Sequence, residues 1–370
     1  MSTTQSYVRL FDTNIRRFFG DALRIRLTDP GMALFLARTL WRQRRAAGVR
    51  RSWDEQGIHV PPFMIASVTN RCNLHCKGCY AQAQDRAREP ELSSARLSQV
   101  IAEAQDLGIS IILLAGGEPL TRPDLLDITA RFPGIVFPLF TNGLLLDEAA
   151  ISKLRPQRHV VPVLSLEGCA EETDGRRGAG VYRHLTDTMG ALKQARVFFG
   201  TSTTVTTANL RMVASDDYVD MLYHSGCRLF FWIEYVPVQP GTEILELGEE
   251  ERQWLAQRLE ALRRRLPALF VAFPGDEEQY GGCLAAGRGF VHLSPSGRLE
   301  PCPFSPYADV SVYEIPLIEA LRSPLLRAIR EADGELRETR GGCALWEKRD
   351  WVASLLSEPM EPAVTPAQRI

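Results

Sequence analysis

Three cysteines, Cys72, Cys76 and Cys79, crowd into the run Arg71-Cys72-Asn73-Leu74-His75-Cys76-Lys77-Gly78-Cys79-Tyr80, directly after the apolar stretch Phe63 to Val68. Three thiols on one short loop can wrap a single metal cluster. A cubane [4Fe–4S] cluster has four irons, and proteins usually hold each with one Cys thiolate. Here the loop supplies three, which would leave one iron open to a small molecule. The residues by themselves also allow a zinc site or a set of redox thiols. A structural zinc site normally closes with four ligands, often as paired Cys-x2-Cys units; Cys76 and Cys79 form one such pair, and His75 is a candidate extra ligand.

The loop also fixes where to look for the fold. From residue 63 onward, apolar runs of strand length alternate with amphipathic helical patterns, which predicts βα units around a parallel sheet. The predicted strands are Phe63–Thr69, Ser110–Ala115, Ile135–Thr141, His159–Leu166, Phe199–Thr206 and Leu229–Val236, with helices near Ser93–Leu107, Pro123–Phe132, Glu148–Leu154, Val181–Ala195, Val213–Ser225 and Glu249–Arg265. Six strands point to an α/β fold, a partial (β/α)6 TIM-like barrel. Each motif follows a strand: the cysteine loop the first, Gly116-Gly117-Glu118-Pro119 the second, Thr141-Asn142-Gly143 the third, and Ser165, Glu167 and Cys169 the fourth. Ligands of such sheets bind at that C-terminal end. The expected division is a basic helical extension over 1–60, the barrel over 61–265, a small Gly- and Cys-containing α+β region over 266–357 with a hairpin at Ser294-Pro295-Ser296-Gly297, and a tail over 358–370.

The cysteine loop followed by Gly-Gly-Glu-Pro at a second strand end resembles the radical S-adenosylmethionine (SAM) superfamily. The resemblance implies an enzyme in which Cys72, Cys76 and Cys79 hold a [4Fe–4S] cluster and SAM chelates its open iron. One electron then cleaves SAM to methionine and a 5′-deoxyadenosyl radical, which abstracts hydrogen from a substrate. It further implies that Gly116, Gly117 and Glu118 bind the methionine amino group. Ser165 and Glu167 match positions that contact the ribose or carboxylate, and Thr204, Thr206 and Val236 lie near the expected adenine wall. Arg177 would pair with a carboxylate or lie in water. One position departs from the family: the residue before the last cysteine is usually aromatic and packs near the adenine, but here it is Gly78. Tyr80 is the expected substitute.

A second set follows the pattern Cys-x13-Gly-x4-Cys from Cys283 through Gly297 to Cys302, with Cys343 later. It resembles the SPASM extension, in its shorter twitch form, and implies that Cys283, Cys302 and Cys343 hold an auxiliary [4Fe–4S] cluster. Three unrelated buried cysteines are the other reading. Cys169, at the active-site end, could donate a hydrogen atom or simply pack, and Cys227 reads as core.

Composition narrows the setting. Eight cysteines in 370 residues do not make a secreted disulfide scaffold. The opening residues lack the pattern of a signal peptide, so a cytoplasmic protein is expected. Between Ile15 and Arg51 stand ten Arg, no Lys and two Asp, interleaved with Phe18, Phe19, Leu34, Phe35, Leu40 and Trp41. Residues Phe11 to Gly48 are read as two helices broken at Asp29-Pro30-Gly31, followed by a linker around Arg51 to Pro62. A lid on the barrel is one role for it; peripheral contact with an anionic membrane is the other. The net charge of −2 and the absence of a reading module argue against nucleic acid. The expected partners are SAM, a substrate (a lipid or isoprenoid, a cofactor precursor or a peptide) and an electron donor such as flavodoxin or ferredoxin. An iron–sulfur electron-transfer or sensor protein that does not cleave SAM is the alternative.

Overall fold

The structure is a computed structural model that describes residues 30–84, 89–273, 282–332, 334–336 and 343–356. Among the described residues nine strands form one sheet: β1 (Phe63–Thr69), β2 (Ile111–Gly116), β3 (Phe137–Thr141), β4 (Val160–Ser165), β5 (Gly200–Val205), β6 (Leu229–Glu234), β7 (Leu269–Phe273), β8 (Phe290–Leu293) and β9 (Leu299–Glu300). Their order is β7-β6-β5-β4-β3-β2-β1-β8-β9. β1 to β8 pair in parallel, and β9 turns back antiparallel on β8. Strands buried on both faces need near-continuous apolar sequence, which runs such as Ile-Ile-Leu-Leu-Ala and Leu-Phe-Phe-Trp-Ile provide.

All six expected strands are present within two residues of their predicted ends. Three more belong to the sheet. β7 lies on the far side of β6, and β8 lies against β1 with Phe63 opposite both Ile111 and Phe290. The sheet thus runs past residue 265 into the second cysteine region, and the expected hairpin is the β8–β9 turn. A count of six stopped short because Leu269–Phe273 follows a highly charged helix and β9 has only two residues.

The main helices are α1 (Pro30–Glu55), α2 (Ser94–Leu107), α3 (Leu125–Thr129), α4 (Glu148–Leu154), α5 (Ala170–Arg177), α6 (Val181–Gln194), α7 (Asp216–His224), α8 (Glu249–Arg265) and α9 (Pro324–Glu331). Their ends follow local chemistry. Ser93 caps α2 by accepting from Arg96 N, and Gly108 ends it at φ +89°, where a left-handed residue is needed. Leu97, Val100, Ile101, Ala104 and Leu107 then share the buried face of α2. α8 carries three Glu in its first turn and three Arg in its last, matching the helix dipole.

α1 settles part of the N-terminal question. Of the two expected helices, the first falls outside the described residues. The second starts at Pro30, a residue suited to a first helical position, and continues to Glu55, through what was expected to be linker. Its Phe35, Leu36 and Leu40 pack with Val136, Val161, Val163, Leu229, Phe231 and Leu269. Val161 and Val163 alternate with Ser165 on one face of β4, the face that lines the cavity described below. This cluster therefore fills the barrel from its N-terminal end, and α1 plugs that end. Polar bonds hold it there: Ser110 Oγ donates to Gln43 Oε1 at 2.6 Å, and buried Arg50 donates to Gly108 O. Leu34, Arg38, Trp41, Arg44 and Arg45 face outward. No helix among the described residues is long and apolar enough to cross a membrane.

Candidate active site

One cavity of about 280 Å³ opens at the C-terminal strand ends. Its lining includes both cysteine sets, Cys72, Cys76 and Cys79 from the loop after β1 and Cys283, Cys302 and Cys343 from the C-terminal region. Gly116, Gly117, Glu118, Ser165, Tyr80, Thr204 and Val236 line it too, so most of the sequence-derived positions share one space. The rest of the wall is mostly apolar and rich in aromatic rings, among them Phe63, Phe140, Phe273, Phe290 and Phe304.

The two glycines do a job inside the chain. A Cβ on Gly116, at φ +119°, would meet Thr69 O at 2.4 Å, and one on Gly117 would meet Arg71 O at 2.1 Å. The cysteine loop crosses directly over them, and Gly117 N and Glu118 N donate to Thr69 O and Arg71 O, each at 2.8 Å. The close approach that glycine permits here is that of the loop's own backbone. It ties the Gly-Gly-Glu-Pro turn to the start of the cysteine loop.

Two buried carboxylates flank that loop. Glu118 accepts from Thr141 Oγ1 at 2.8 Å, Asn142 N at 2.7 Å and Leu120 N at 3.1 Å. Burial nevertheless pushes its carboxyl above the usual range. Glu167 has the opposite balance. Burial would raise it, but Arg176 and Arg177 overcome that and hold it below the usual range. Its Oε1 accepts from Arg176 Nη1 at 2.6 Å, Arg177 Nη2 at 2.5 Å and Arg177 Nε at 2.9 Å, while Oε2 accepts from Thr204 N at 3.0 Å. Glu167 is thus enclosed by protein donors, whereas both arginines line the cavity.

Arg177, at the end of α5, reaches Cys76 Sγ with Nη1 at 3.9 Å and is mostly buried, not a solvated loop arginine. Lys77 N donates to Arg176 O and Arg176 Nε donates to Lys77 O, both at 3.0 Å, so the end of α5 grips the middle of the cysteine loop. On the other side, Asn142 Nδ2 donates to Asn73 Oδ1 at 2.7 Å and lies 4.0 Å from Cys72 Sγ. Arg176 and Asn142 were not singled out as site residues from sequence. Asn142 could have been, since it follows β3 at the same end as the other motifs.

Three other positions stand apart from the cavity. The Thr206 hydroxyl donates to Asn209 Oδ1 at 3.1 Å within a local turn and does not reach the lining. Cys169 starts α5 in an exposed position, outside the lining. Cys227 is fully buried, bonded to Thr201 Oγ1 and Leu229 O, and burial pushes its thiol up to about 11.

Both cysteine sets interact internally. Burial raises the Cys72 and Cys76 thiols, with further contributions from the neighbouring loop thiols. Cys302 is raised well above its ordinary value, first by its hydrogen bond with Cys343, then by burial and by Cys283. Among the described residues no three His, Cys, Asp or Glu side chains converge closely enough to grip one metal ion. Tetrahedral zinc, with Zn–S near 2.3 Å, needs sulfurs within about 4 Å of one another. A cubane of several atoms spreads its thiolates farther apart.

Comparison with known proteins agrees with this layout. Residues 66–222 match the family model of the Radical SAM superfamily. The AdoMet-dependent heme synthase of Methanosarcina barkeri is 26% identical over 319 residues, covering 78% of this chain and 89% of that protein. The mycofactocin maturase MftC of Mycobacterium ulcerans is 24% identical, covering 78% and 84%. The structure of Streptococcus suis SuiB bound to S-adenosylmethionine superposes with a TM-score of 0.63 at 17% identity, over 80% of this chain and 73% of that one, a likeness of fold. With its cysteine loop, its glycine turn and its partial barrel, the chain carries over residues 66–222 a domain that matches the Radical SAM superfamily, and the relatives named above are enzymes.

Proposed function

We propose that Cys72, Cys76 and Cys79 hold the [4Fe–4S] cluster and that the cavity they line binds SAM. When bound, such a cluster would supply the single electron for reductive cleavage of SAM and hence the radical chemistry for hydrogen abstraction from a substrate. The observation that carries this reading is the convergence of the three-thiol loop, the glycine turn and the β4 end on one cavity. The donor set fits the group. Arg177 and Asn142 supply N–H donors beside Cys76 and Cys72, and hydrogen bonds to sulfur are among the means by which proteins set a cluster's potential.

In this reading Arg177 offers its guanidinium to a carboxylate, since it lines the cavity while Glu167 steadies it. Glu118, with its carboxyl raised by burial, faces the same space and suits an amino group. The aromatic wall excludes water from the reacting atoms. Cys283, Cys302 and Cys343 would hold an auxiliary [4Fe–4S] cluster at the same cavity. The substrate is then a cofactor precursor or a peptide that presents an apolar or aromatic portion to this wall. Relatives named for heme, for the PqqA peptide and for mycofactocin support that class. Flavodoxin or ferredoxin would deliver the electron.

Anaerobic reconstitution with iron and sulfide, then dithionite and SAM, should yield 5′-deoxyadenosine. A Cys72→Ala, Cys76→Ala, Cys79→Ala variant should give none while keeping iron at the second set. Wild-type protein that loads iron and leaves SAM intact would return the reading to an electron-transfer or sensor protein.

A further inference from the structure

The space that a side chain at position 78 would take is already filled. A Cβ there would lie 2.8 Å from Tyr235 Oη, 3.0 Å from its Cε2 and 3.3 Å from its Cζ. Gly78 also sits at φ +67°, a conformation that favours glycine. Tyr235 follows β6 and extends it, its N–H donating to Val205 O at 2.9 Å. The strand end is anchored by the Arg252–Glu234 ion pair at 2.6 Å. Tyr235 is only 4% exposed and lines the cavity together with Gly78, Cys76 and Cys79. Its hydroxyl is buried and has no hydrogen-bond partner in the protein.

A buried hydroxyl without a partner is costly and uncommon. Both faults are removed if the bond is made by whatever fills the cavity. A neutral phenol on a rigid ring suits a flat heterocycle or a sugar hydroxyl more than an ionic group. The charged groups of the cavity, Glu118 and Arg177, are placed to serve the ionic end of a ligand. Tyr80, the other aromatic beside the last cysteine, is packed on Phe304 with ring centroids 5.1 Å apart.

We propose that Tyr235 binds the nucleoside half of SAM, its ring standing where a side chain at position 78 would stand and its hydroxyl hydrogen-bonding the ligand. The assignment rests on the reading that this cavity takes SAM. Gly78 and Tyr235 are then one unit: the glycine is empty so that the tyrosine can reach over it. The aromatic surface has moved from the cysteine loop to the sixth strand.

The test is equilibrium dialysis of SAM with the iron-loaded, unreduced protein, with 5′-deoxyadenosine and methionine as separate competitors. Tyr235→Phe should weaken SAM and 5′-deoxyadenosine by about three- to tenfold, the range of one neutral hydrogen bond, and leave methionine competition unchanged. Gly78→Phe should weaken SAM by displacing Tyr235. The pair Gly78→Phe with Tyr235→Ala should bind better than the two single effects predict, because the new ring occupies the vacated space. Iron content on the same samples must match the wild type, and circular dichroism must show each variant folded at the dialysis temperature. If wild-type protein binds SAM and Tyr235→Phe binds it equally well, the assignment fails alone. An additive double variant overturns it too. Wild-type protein that loads iron yet binds no SAM overturns the assignment together with the function it rests on.

Discussion

Replacing Glu167 by Gln should loosen the whole mouth of the barrel. The carboxylate is 2% exposed and takes four donated hydrogen bonds, three from Arg176 and Arg177 and one from Thr204 N. Gln keeps the shape, but it removes the charge and turns an NH2 group toward donors. Removing one partner of a fully buried pair costs about 3–5 kcal/mol. The arginine side chains keep 12% and 20% of their exposure, so water relieves part of their loss. A cost of about 2–3 kcal/mol is therefore expected. At no more than about 2–4 °C per kcal/mol for a chain of this size, melting should fall by several degrees at neutral pH. Acid gives the sharper check. Because the folded carboxyl titrates below its unfolded counterpart, its stabilisation is complete above the ordinary carboxylate range near pH 4.3 and fades as pH falls through the lower folded value. Gln does not titrate. The gap between wild type and variant, followed by circular dichroism melts of the iron-free protein, should narrow as the solution is acidified below that range. Equal melting at neutral pH, or a gap that stays constant into acid, would refute the argument that two cationic side chains depend on this one anion.

Two further outcomes follow from the same geometry. Gly117→Ala places a methyl 2.1 Å from Arg71 O, so the cysteine loop must move or give up the bonds to Thr69 O and Arg71 O. Iron loading at the first cysteine set should drop sharply, with a stability loss of about 1–3 kcal/mol; normal loading in an iron assay would contradict the close crossing. Replacing Cys283, Cys302 and Cys343 together by Ala should remove about half of the reconstituted iron, as expected for one of two four-iron clusters, and leave SAM binding intact. Unchanged iron content would return those residues to ordinary packing.

The strands were readable because each is an apolar run of the right length bounded by turn residues, and the motifs fell at one end because that end carries the loops. Even the C-terminal hairpin showed itself through Ser-Pro-Ser-Gly. What sequence could not give was contact between distant strands. Tyr235 belongs to a strand more than 150 residues beyond Gly78, and nothing local says that its ring crosses to the cysteine loop. Tyr80 was the natural substitute by proximity in the chain, yet its ring packs on Phe304. Arg177 reads as a loop charge until Glu167 is seen behind it. Thr206 erred for a local reason: with Asn209 three residues on, its hydroxyl is used in a turn. α1 was ambiguous because a basic helix with an apolar side can face lipid or protein, and the packing of Phe35, Leu36 and Leu40 on barrel residues shows which side meets the protein.

The pairing of β8 with β1 carries a consequence for how the two thiol groups can communicate. Phe63 sits level with Phe290 and Ala66 with Leu293, so the strand that leads into the first cysteine loop and the strand just after Cys283 are neighbouring rungs of one ladder. A hinge between two modules would let the gap between the sulfur groups open and close. A shared ladder holds that gap at a set width, and any electron passing between the two walls would cross a path whose length the backbone itself has measured out.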